Sequence, residues 1–313
     1  MSDERSVYTS RAWQGPDDRA RVHAFLRARY RLQGPPSYPS TSDFDYWLAM
    51  SDNPAVPHGI QLWFDGDSLI GYVWPKDDEV QCVVHPHATA AVPEIFGWAE
   101  ARLQANPPPE GVIKAWCVAG DLQMAALLAA AGYTRTDDFL RCNVFAMDGA
   151  LPAAPALLPG YTVRALRGPE EAAARSAAHV AAFPDWPMDA AKHQRAMQSA
   201  TYQLERDIVA TAPDGAIVAV IIAWYDPALR MGLFEPIGCH PAHQRRGLAT
   251  ACIVEGLQRL KEAGAEVAVV CGWRDDSEGS RLYAKLGFRE GERQYVWERQ
   301  LAAETSSNLN AMH

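Results

Sequence analysis

Residues Gly238-Cys239-His240-Pro241-Ala242-His243-Gln244-Arg245-Arg246-Gly247-Leu248-Ala249-Thr250 close a strand-like run and open an amphipathic helix, with a basic, glycine-containing turn between them. That arrangement holds anions. The first backbone N–H groups of a helix have no partner within it, and the helix dipole adds partial positive charge, so a diphosphate fits there without a metal. Gly247 leaves the main chain open to close approach, and Arg245 and Arg246 add charge. Further on, Leu282-Tyr283-Ala284-Lys285-Leu286-Gly287-Phe288 reads as a helix end stopped by glycine and followed by an aromatic. Two titratable groups stand close to the anion turn in sequence. Glu235 is a lone carboxylate in the strand Leu233-Phe234-Glu235-Pro236-Ile237, and His240 precedes a proline at the strand's end.

Together the two motifs resemble the GNAT superfamily of acetyl-coenzyme A dependent N-acyltransferases. Its pyrophosphate loop reads (Gln/Arg)-x-x-Gly-x-(Gly/Ala), and its later helix ends in Leu-Tyr-x-x-x-Gly-Phe. The order of elements fits: a strand from Leu233 to Cys239, a helix from Gly247 to Ala263, a strand from Val267 to Cys271 and a helix from Ser277 to Leu286. The resemblance implies acetyl-coenzyme A as cosubstrate and no metal, with the diphosphate at Gln244, Arg245, Arg246, Gly247, Leu248, Ala249 and Thr250. It also implies that the Ile237 amide donates to the thioester carbonyl and that Cys239 bonds the pantetheine arm through its backbone. Asp276 stands where the family often has Asn.

Acetylating an amine needs two proton transfers. An alkylammonium must lose a proton before it attacks, and the departing thiolate must gain one. The resemblance makes Tyr283 the general acid. For the base, a regular strand puts 233, 235, 237 and 239 on one side, so Glu235 should face the coenzyme along with Ile237 and Cys239. The family often carries its base two residues earlier, at the place of Leu233, and a bulge at Pro236 would change the facing. His240 is the second candidate. No His–Asp constellation accompanies the Cys239 thiol, so direct transfer is expected in place of an acyl-cysteine.

The elements around this site repeat. Tyr161 to Leu166 reads as a strand, Glu170 to Ala182 as a helix, and Asp207 to Ala212 with Ala216 to Trp224 as a hairpin about Pro213-Asp214-Gly215. The first half repeats the plan: strand Tyr8 to Ala12, hairpin Gln61 to Phe64 with Ser68 to Trp74 about Asp65-Gly66-Asp67, and Val80 to Val84 leading into His85-Pro86. Setting His85-Pro86 over His240-Pro241 puts Thr89 at Gln244 and Val92 at Gly247; setting Gly132-Tyr133 over Gly287-Phe288 puts Leu128 at Tyr283. The first repeat has therefore lost the anion turn and the acid. The expected fold is α+β, two tandem GNAT-like domains, each a mixed, mostly antiparallel sheet flanked by helices, and it resembles the arrangement of mycothiol synthase. The expected boundaries are a degenerate domain at 1–148, a Pro/Ala linker at 149–160, a catalytic domain at 161–300 and a disordered tail at 301–313.

Composition bounds the partners. The chain has 313 residues, 48% of them apolar, enough for two cores, and a net charge of −9 that argues against a general nucleic-acid binder. No run approaches a membrane span and the charged start leads to no signal segment, so the expectation is a cytoplasmic protein, monomer or homodimer. Six cysteines stand singly without a CxxC pair and read as reduced thiols. The nine histidines, His85-Pro86-His87 and His240-x-x-His243 among them, lack partners at metal-site spacing. The expected activity is acetyl transfer to a primary amine of a small molecule. A non-catalytic acyl-coenzyme A sensor or interaction module is the competing class. Two aromatic stretches, Phe183 to Asp189 and Tyr30 to Trp47, either close over the amine or cover cores.

Overall fold

The structure, a computed structural model, describes residues 8–34, 39–50, 59–75, 80–105, 111–273 and 277–301. In chain order these form β1 (Thr9–Ala12), α1 (Pro16–Gln33), α2 (Thr41–Met50), β2 (Gln61–Asp65), β3 (Ser68–Pro75), β4 (Val80–Val84), α3 (Val92–Ala105), β5 (Val112–Val118), α4 (Leu122–Ala130) and β6 (Thr134–Ala146). The second repeat follows with β7 (Thr162–Ala165), α5 (Ala172–Ala182), α6 (Ala190–Ala196), β8 (Asp207–Thr211), β9 (Ile217–Asp226), β10 (Met231–Cys239), α7 (Leu248–Glu262), β11 (Val267–Trp273), α8 (Glu278–Lys285) and β12 (Arg293–Gln300). Each strand and helix expected from the sequence is present within a few residues. Asp276 and residues 302–313 lie outside the described residues.

Two compact units emerge, and neither is continuous in sequence. The first combines the described residues of Met1–Trp13, His58–Phe139 and Gln294–His313; the second combines those of Gln14–Pro57 and Leu140–Arg293. Helices α1 and α2, which precede the first hairpin, therefore belong with the second unit. Strand β12, which ends the second repeat, pairs antiparallel with β5 in the first, from Gln294 opposite Val118 to Gln300 opposite Val112. The aromatic stretch from Tyr30 to Trp47 packs in the second unit, where Tyr46 meets Trp224 and Trp186 edge-on and Trp47 stacks on Trp186 at 5.3 Å.

In the first unit β1, β2, β3 and β4 form an antiparallel sheet in that order. Trp63, Ile95, Phe96, Leu128 and Tyr133 are buried in a core between this sheet, α3 and α4. In the second unit β7, β8, β9 and β10 run antiparallel, β10 pairs parallel with β11, and β11 pairs antiparallel with β6 from Leu140 onward. Its sheet separates two cores. Leu248, Cys252, Ile253, Leu257 and Leu260 of α7 pack with Ile221 and Phe234 on one face; Tyr46, Trp224, Ile222 and Leu233 pack on the other. α7 forms because apolar residues recur at helical spacing along one side, and its last turn carries Arg259 and Lys261 against the negative end of the dipole.

The segment 149–160 is packed as well as extended. Lys261 donates to the Gly149 carbonyl at 2.6 Å, and Leu151 and Leu157 join the α7 core. An ideal Cβ on Gly247 would stand 3.3 Å from Pro155. The segment thus runs along α7 from its end to its beginning. One cysteine expectation is corrected. Cys142 and Cys271 face each other across the β6–β11 pair with Cα atoms 4.0 Å apart and are joined as a disulfide, while Cys82, Cys117, Cys239 and Cys252 are free. Sequence spacing could not reveal this pair, whose members are 129 residues apart.

Candidate functional site

Strand β10 creates the site by changing partners. It pairs with β11 from Met231 to Phe234, opposite Val267 to Val270, and then parts from it, while its pairing with β9 resumes only at Ile237 opposite Ile221. Between those points three steps along β10 match two along β9, which is a bulge. Pro236 has no N–H to give to a ladder, so the interruption falls where the sequence cannot sustain pairing. The consequence corrects the expected facing. Leu233 packs in the Trp224 core, whereas Ile237 and Cys239 turn toward the α7 core, so 233 and 235 do not continue the row of 237 and 239.

Past the bulge, a cavity of about 640 Å³ opens between the end of β10, the start of α7 and α8. Its wall includes Ile237, Cys239, Gln244, Arg245, Gly247, Leu248, Ala249, Thr250 and Tyr283, gathering most of the expected coenzyme residues. Gly247 sits at φ 76 as the N-cap of α7 and no side chain caps that end. A left-handed residue is needed there and glycine takes it without strain. The first-turn amides of α7 thus face a cavity with Arg245, Arg281 and Lys285 around it, a setting for a diphosphate. Gly238 serves the opposite face: a Cβ there would fall 2.7 Å from the Phe183 ring and 2.9 Å from Ala182.

The turn itself is held by its own side chains. The His240 Nδ1 accepts from the Ala242 amide at 3.1 Å, and the Gln244 amide nitrogen donates to the Cys239 carbonyl at 3.3 Å. Arg246 is turned away from the cavity wall. Its guanidinium lies over the Tyr161 ring at 5.5 Å, donates to the Tyr161 hydroxyl, and reaches the Ala242 carbonyl at 3.2 Å. Tyr161 also meets His243 Nδ1 at 3.0 Å. Arg245, at φ 64, reaches Glu278 of α8 at 2.7 Å.

Tyr283 stands on the α8 wall, 8% exposed, and burial together with the Glu235 charge holds its hydroxyl proton well above the ordinary phenol range. Ser277 caps α8 by accepting from the Ser280 amide at 3.0 Å. Gly279 lies directly against the phenol, where a Cβ would be in ordinary contact with its oxygen at 3.4 Å. Glu235 stands off the cavity wall, at the bulge. Its backbone carbonyl accepts from the Trp224 indole at 2.6 Å. Burial, with the Asp43 carboxylate adding to it, raises its pKa to about 8. The Glu235 charge acts on both Tyr283 and Tyr46, so the carboxylate lies between α8 and α2. His240 is in the turn and outside the cavity wall. Sequence reasoning did not single out Asp43, Tyr46, Arg281 or Lys285. The i, i+4 spacing of the last two on α8 was a readable signal.

Residues 173–288 match the acetyltransferase (GNAT) family. A mycothiol acetyltransferase from Sanguibacter keddieii is 28% identical over 250 residues, covering 71% of this chain and 76% of the relative. Among solved structures, a GCN5-related N-acetyltransferase from Sphaerobacter thermophilus superposes with a TM-score of 0.68 at 18% identity, over 95% of this chain and 96% of that one. A tandem GNAT protein from the clavulanic acid biosynthesis pathway gives 0.68 at 17% identity, over 95% and 99%. These likenesses agree with the α+β build and the two GNAT-like domains. Among the described residues no group of three or more His, Cys, Asp or Glu could hold a metal ion, and no helix is long and apolar enough to cross a membrane.

Proposed function

We propose that this chain, a tandem GNAT acyltransferase, moves an acetyl group from acetyl-coenzyme A directly to the primary amine of a small molecule, at one site in its second unit. The observation that carries this reading is the coincidence of three features around one cavity: the uncapped, glycine-opened start of α7, the parting of β10 from β11, and Tyr283 on the facing wall. In this reading the amides of Gly247, Leu248, Ala249 and Thr250 hold the diphosphate, with Gln244, Arg245, Arg281 and Lys285 around it. The edge of β10 at Ile237 and Cys239, uncovered by β11, takes the pantetheine arm, and the Ile237 amide donates to the thioester oxygen as charge grows there.

Glu235 takes a proton from the bound ammonium, the freed nitrogen attacks the thioester carbon, and the C–S bond breaks as Tyr283 gives its proton to sulfur. The second nitrogen proton then restores the phenol. Glu235 is suited to the base role because a carboxylate raised to about 8 is far closer to an alkylammonium than an ordinary carboxylate is. Its position at the bulge favours it over His240, whose ring is engaged in its own turn. The name of the Sanguibacter relative supports a small-molecule acceptor. Mass spectrometry of an amine library incubated with acetyl-coenzyme A tests the reading: acetylated product appearing with matching thiol release supports it, and thiol release without any acetylated amine rejects it. Stable binding of acetyl-coenzyme A with no turnover on any amine would favour the sensor class.

A further inference from the structure

The chain as a whole is acidic, with a net charge of −9, yet Arg245, Arg281 and Lys285 all line one cavity in its second unit. Cations gathered in one cleft of an acidic chain mark where an anion is held, and the partners these groups have in the fold separate them. Arg245 is engaged, reaching Glu278 at 2.7 Å. Arg246, the other cation of the turn, stands off the cavity wall over the Tyr161 ring. Among the described residues no carboxylate pairs with the Arg281 or Lys285 side chain, and both residues are exposed on the α8 wall. The two basic residues of the anion turn are therefore taken, while the two on the facing helix are free.

Their placement suits a single anion. Arg281 and Lys285 are four residues apart on α8, so their stems leave one face of the helix about 5–6 Å from each other and their charged ends can close on the same group. Like charges at that spacing repel and disfavour the helix unless an anion sits between them. In the repeat that has lost the anion turn, the offset that sets Leu128 over Tyr283 sets Ala126 over Arg281 and Ala130 over Lys285. The cations and the anion turn thus occur together in one repeat and are missing together from the other.

Coenzyme A carries two kinds of phosphate. The diphosphate suits the row of amides at the start of α7, where Gly247 leaves the backbone open. The 3′-phosphate on the adenosine ribose is a monoester, with a charge of about −1.5 to −2 near neutral pH and three strong acceptor oxygens. The ribose joins it to the diphosphate, so seating one brings the other to the same cavity. A monoester so charged is best met by cationic donors, an Arg fork and a Lys ammonium among them.

We propose that Arg281 and Lys285 bind the 3′-phosphate and make this chain select coenzyme A thioesters over their 3′-dephospho counterparts. This rests on the acetyl-transfer reading and adds a specificity device to its site. The α7 amides keep the diphosphate, and α8 reads the phosphate that distinguishes the two forms.

The full chain is titrated by calorimetry with coenzyme A and with 3′-dephospho-coenzyme A at low salt. Wild type should bind coenzyme A about tenfold more tightly, and the gap should narrow as ionic strength rises, because both cations are exposed. Arg281→Met and Lys285→Met should each cut the ratio of the two affinities about threefold, and the double variant should bring it close to one. Lys285→Arg keeps the charge and should retain the preference. Met keeps an unbranched stem and favours a helix, and thermal melts check that each variant is folded. Equal affinity of the wild type for the two forms overturns the proposal. So does an equal loss toward both forms in the Met variants, since the cations would then serve the diphosphate. Failure of the acetyl-transfer reading is distinct: acetyl-coenzyme A would then yield no acetylated amine, whichever way the two affinities compare.

Discussion

Strands β3 and β4 in the first unit and β9 and β10 in the second are matching hairpin-and-strand segments, and they part at one register point. Val80, Gln81 and Cys82 pair without interruption opposite Pro75, Trp74 and Val73. Their counterparts Glu235, Pro236 and Ile237 contain the bulge, and only Ile237 is paired. The same contrast runs through the rest of the site. Val92, 3% exposed, fills the place of Gly247, and Leu128, 1% exposed, fills that of Tyr283. The cavity of about 230 Å³ in the first unit lies between α3 and α4, against Val92, Phe96 and Leu128, and not at a strand's parted edge. A scaffold of one design thus becomes a site by giving up packing: one broken ladder, one missing side chain and one hydroxyl where an apolar group would pack better.

The largest expected effect comes from removing the feature the first repeat never had. Glu235→Gln should lower turnover by about 10³-fold, because an amide cannot take the ammonium proton. In the wild type the free enzyme's kcat/KM should rise as pH climbs through about 8, since the raised carboxylate is protonated and inactive below that point. The variant should lack this limb. Stability carries the opposite sign. A carboxylate whose folded pKa exceeds its unfolded one favours the fold at low pH and loses that contribution as pH rises through the folded value, so Glu235→Gln should be the more stable protein above about pH 8. A pH–rate profile beside thermal melts measures both. A limb that survives in Glu235→Gln and disappears in His240→Ala would move the base role to the turn and break the comparison at the bulge.

Tyr283→Phe comes next. It retains the ring that packs on Phe288 at 5.9 Å and removes only the hydroxyl, so turnover should fall on the order of 10²-fold with little change in coenzyme affinity. Equal turnover would make Tyr283 a packing residue, as Leu128 is. Gly247→Val, which writes the first repeat's residue into the second, should act on binding. A β-branched residue at φ 76 carries strain of about 1–3 kcal/mol, and its Cβ would press on Pro155, so acetyl-coenzyme A affinity should drop about tenfold or more. Calorimetry should find one coenzyme per wild-type chain; two equivalent sites would show that Val92 and its surroundings bind after all.

What the residues disclosed in advance follows from how local each signal is. The hairpin at Pro213-Asp214-Gly215, the glycine before α7 and the Tyr283 helix are written in neighbouring residues, and each formed where expected. Alternation puts Glu235 in the row of Ile237 and Cys239 only along an unbroken ladder, and the bulge that Pro236 was expected to allow is what breaks it. The exchange of α1, α2 and β12 between units left no local trace. The burial of the polar residues on α2 depends on Asp226, Thr201 and Arg19, which reach them from distant parts of the chain. The Cys142–Cys271 pairing is non-local in the same way.

The smallest effect sharpens the comparison at α8. Glu278 and Gln123 occupy matching positions, and both reach toward the preceding turn: Glu278 to Arg245 at 2.7 Å, Gln123 to Thr89 at 2.8 Å. In the first unit that link joins two neutral groups. In the second it places a carboxylate on the wall of a cavity assigned to a diphosphate, where it both repels the ligand and engages a cation that could serve it. The pair is exposed, with side chains 81% and 71% accessible, so its own contribution to stability is slight. Glu278→Gln should therefore leave the melting temperature nearly unchanged and tighten acetyl-coenzyme A by about two- to fivefold at low salt, the gain shrinking as ionic strength rises. Weaker binding in the variant would mean that the Glu278 link orders Arg245 for the ligand, so that the matching contacts in the two units serve the same purpose.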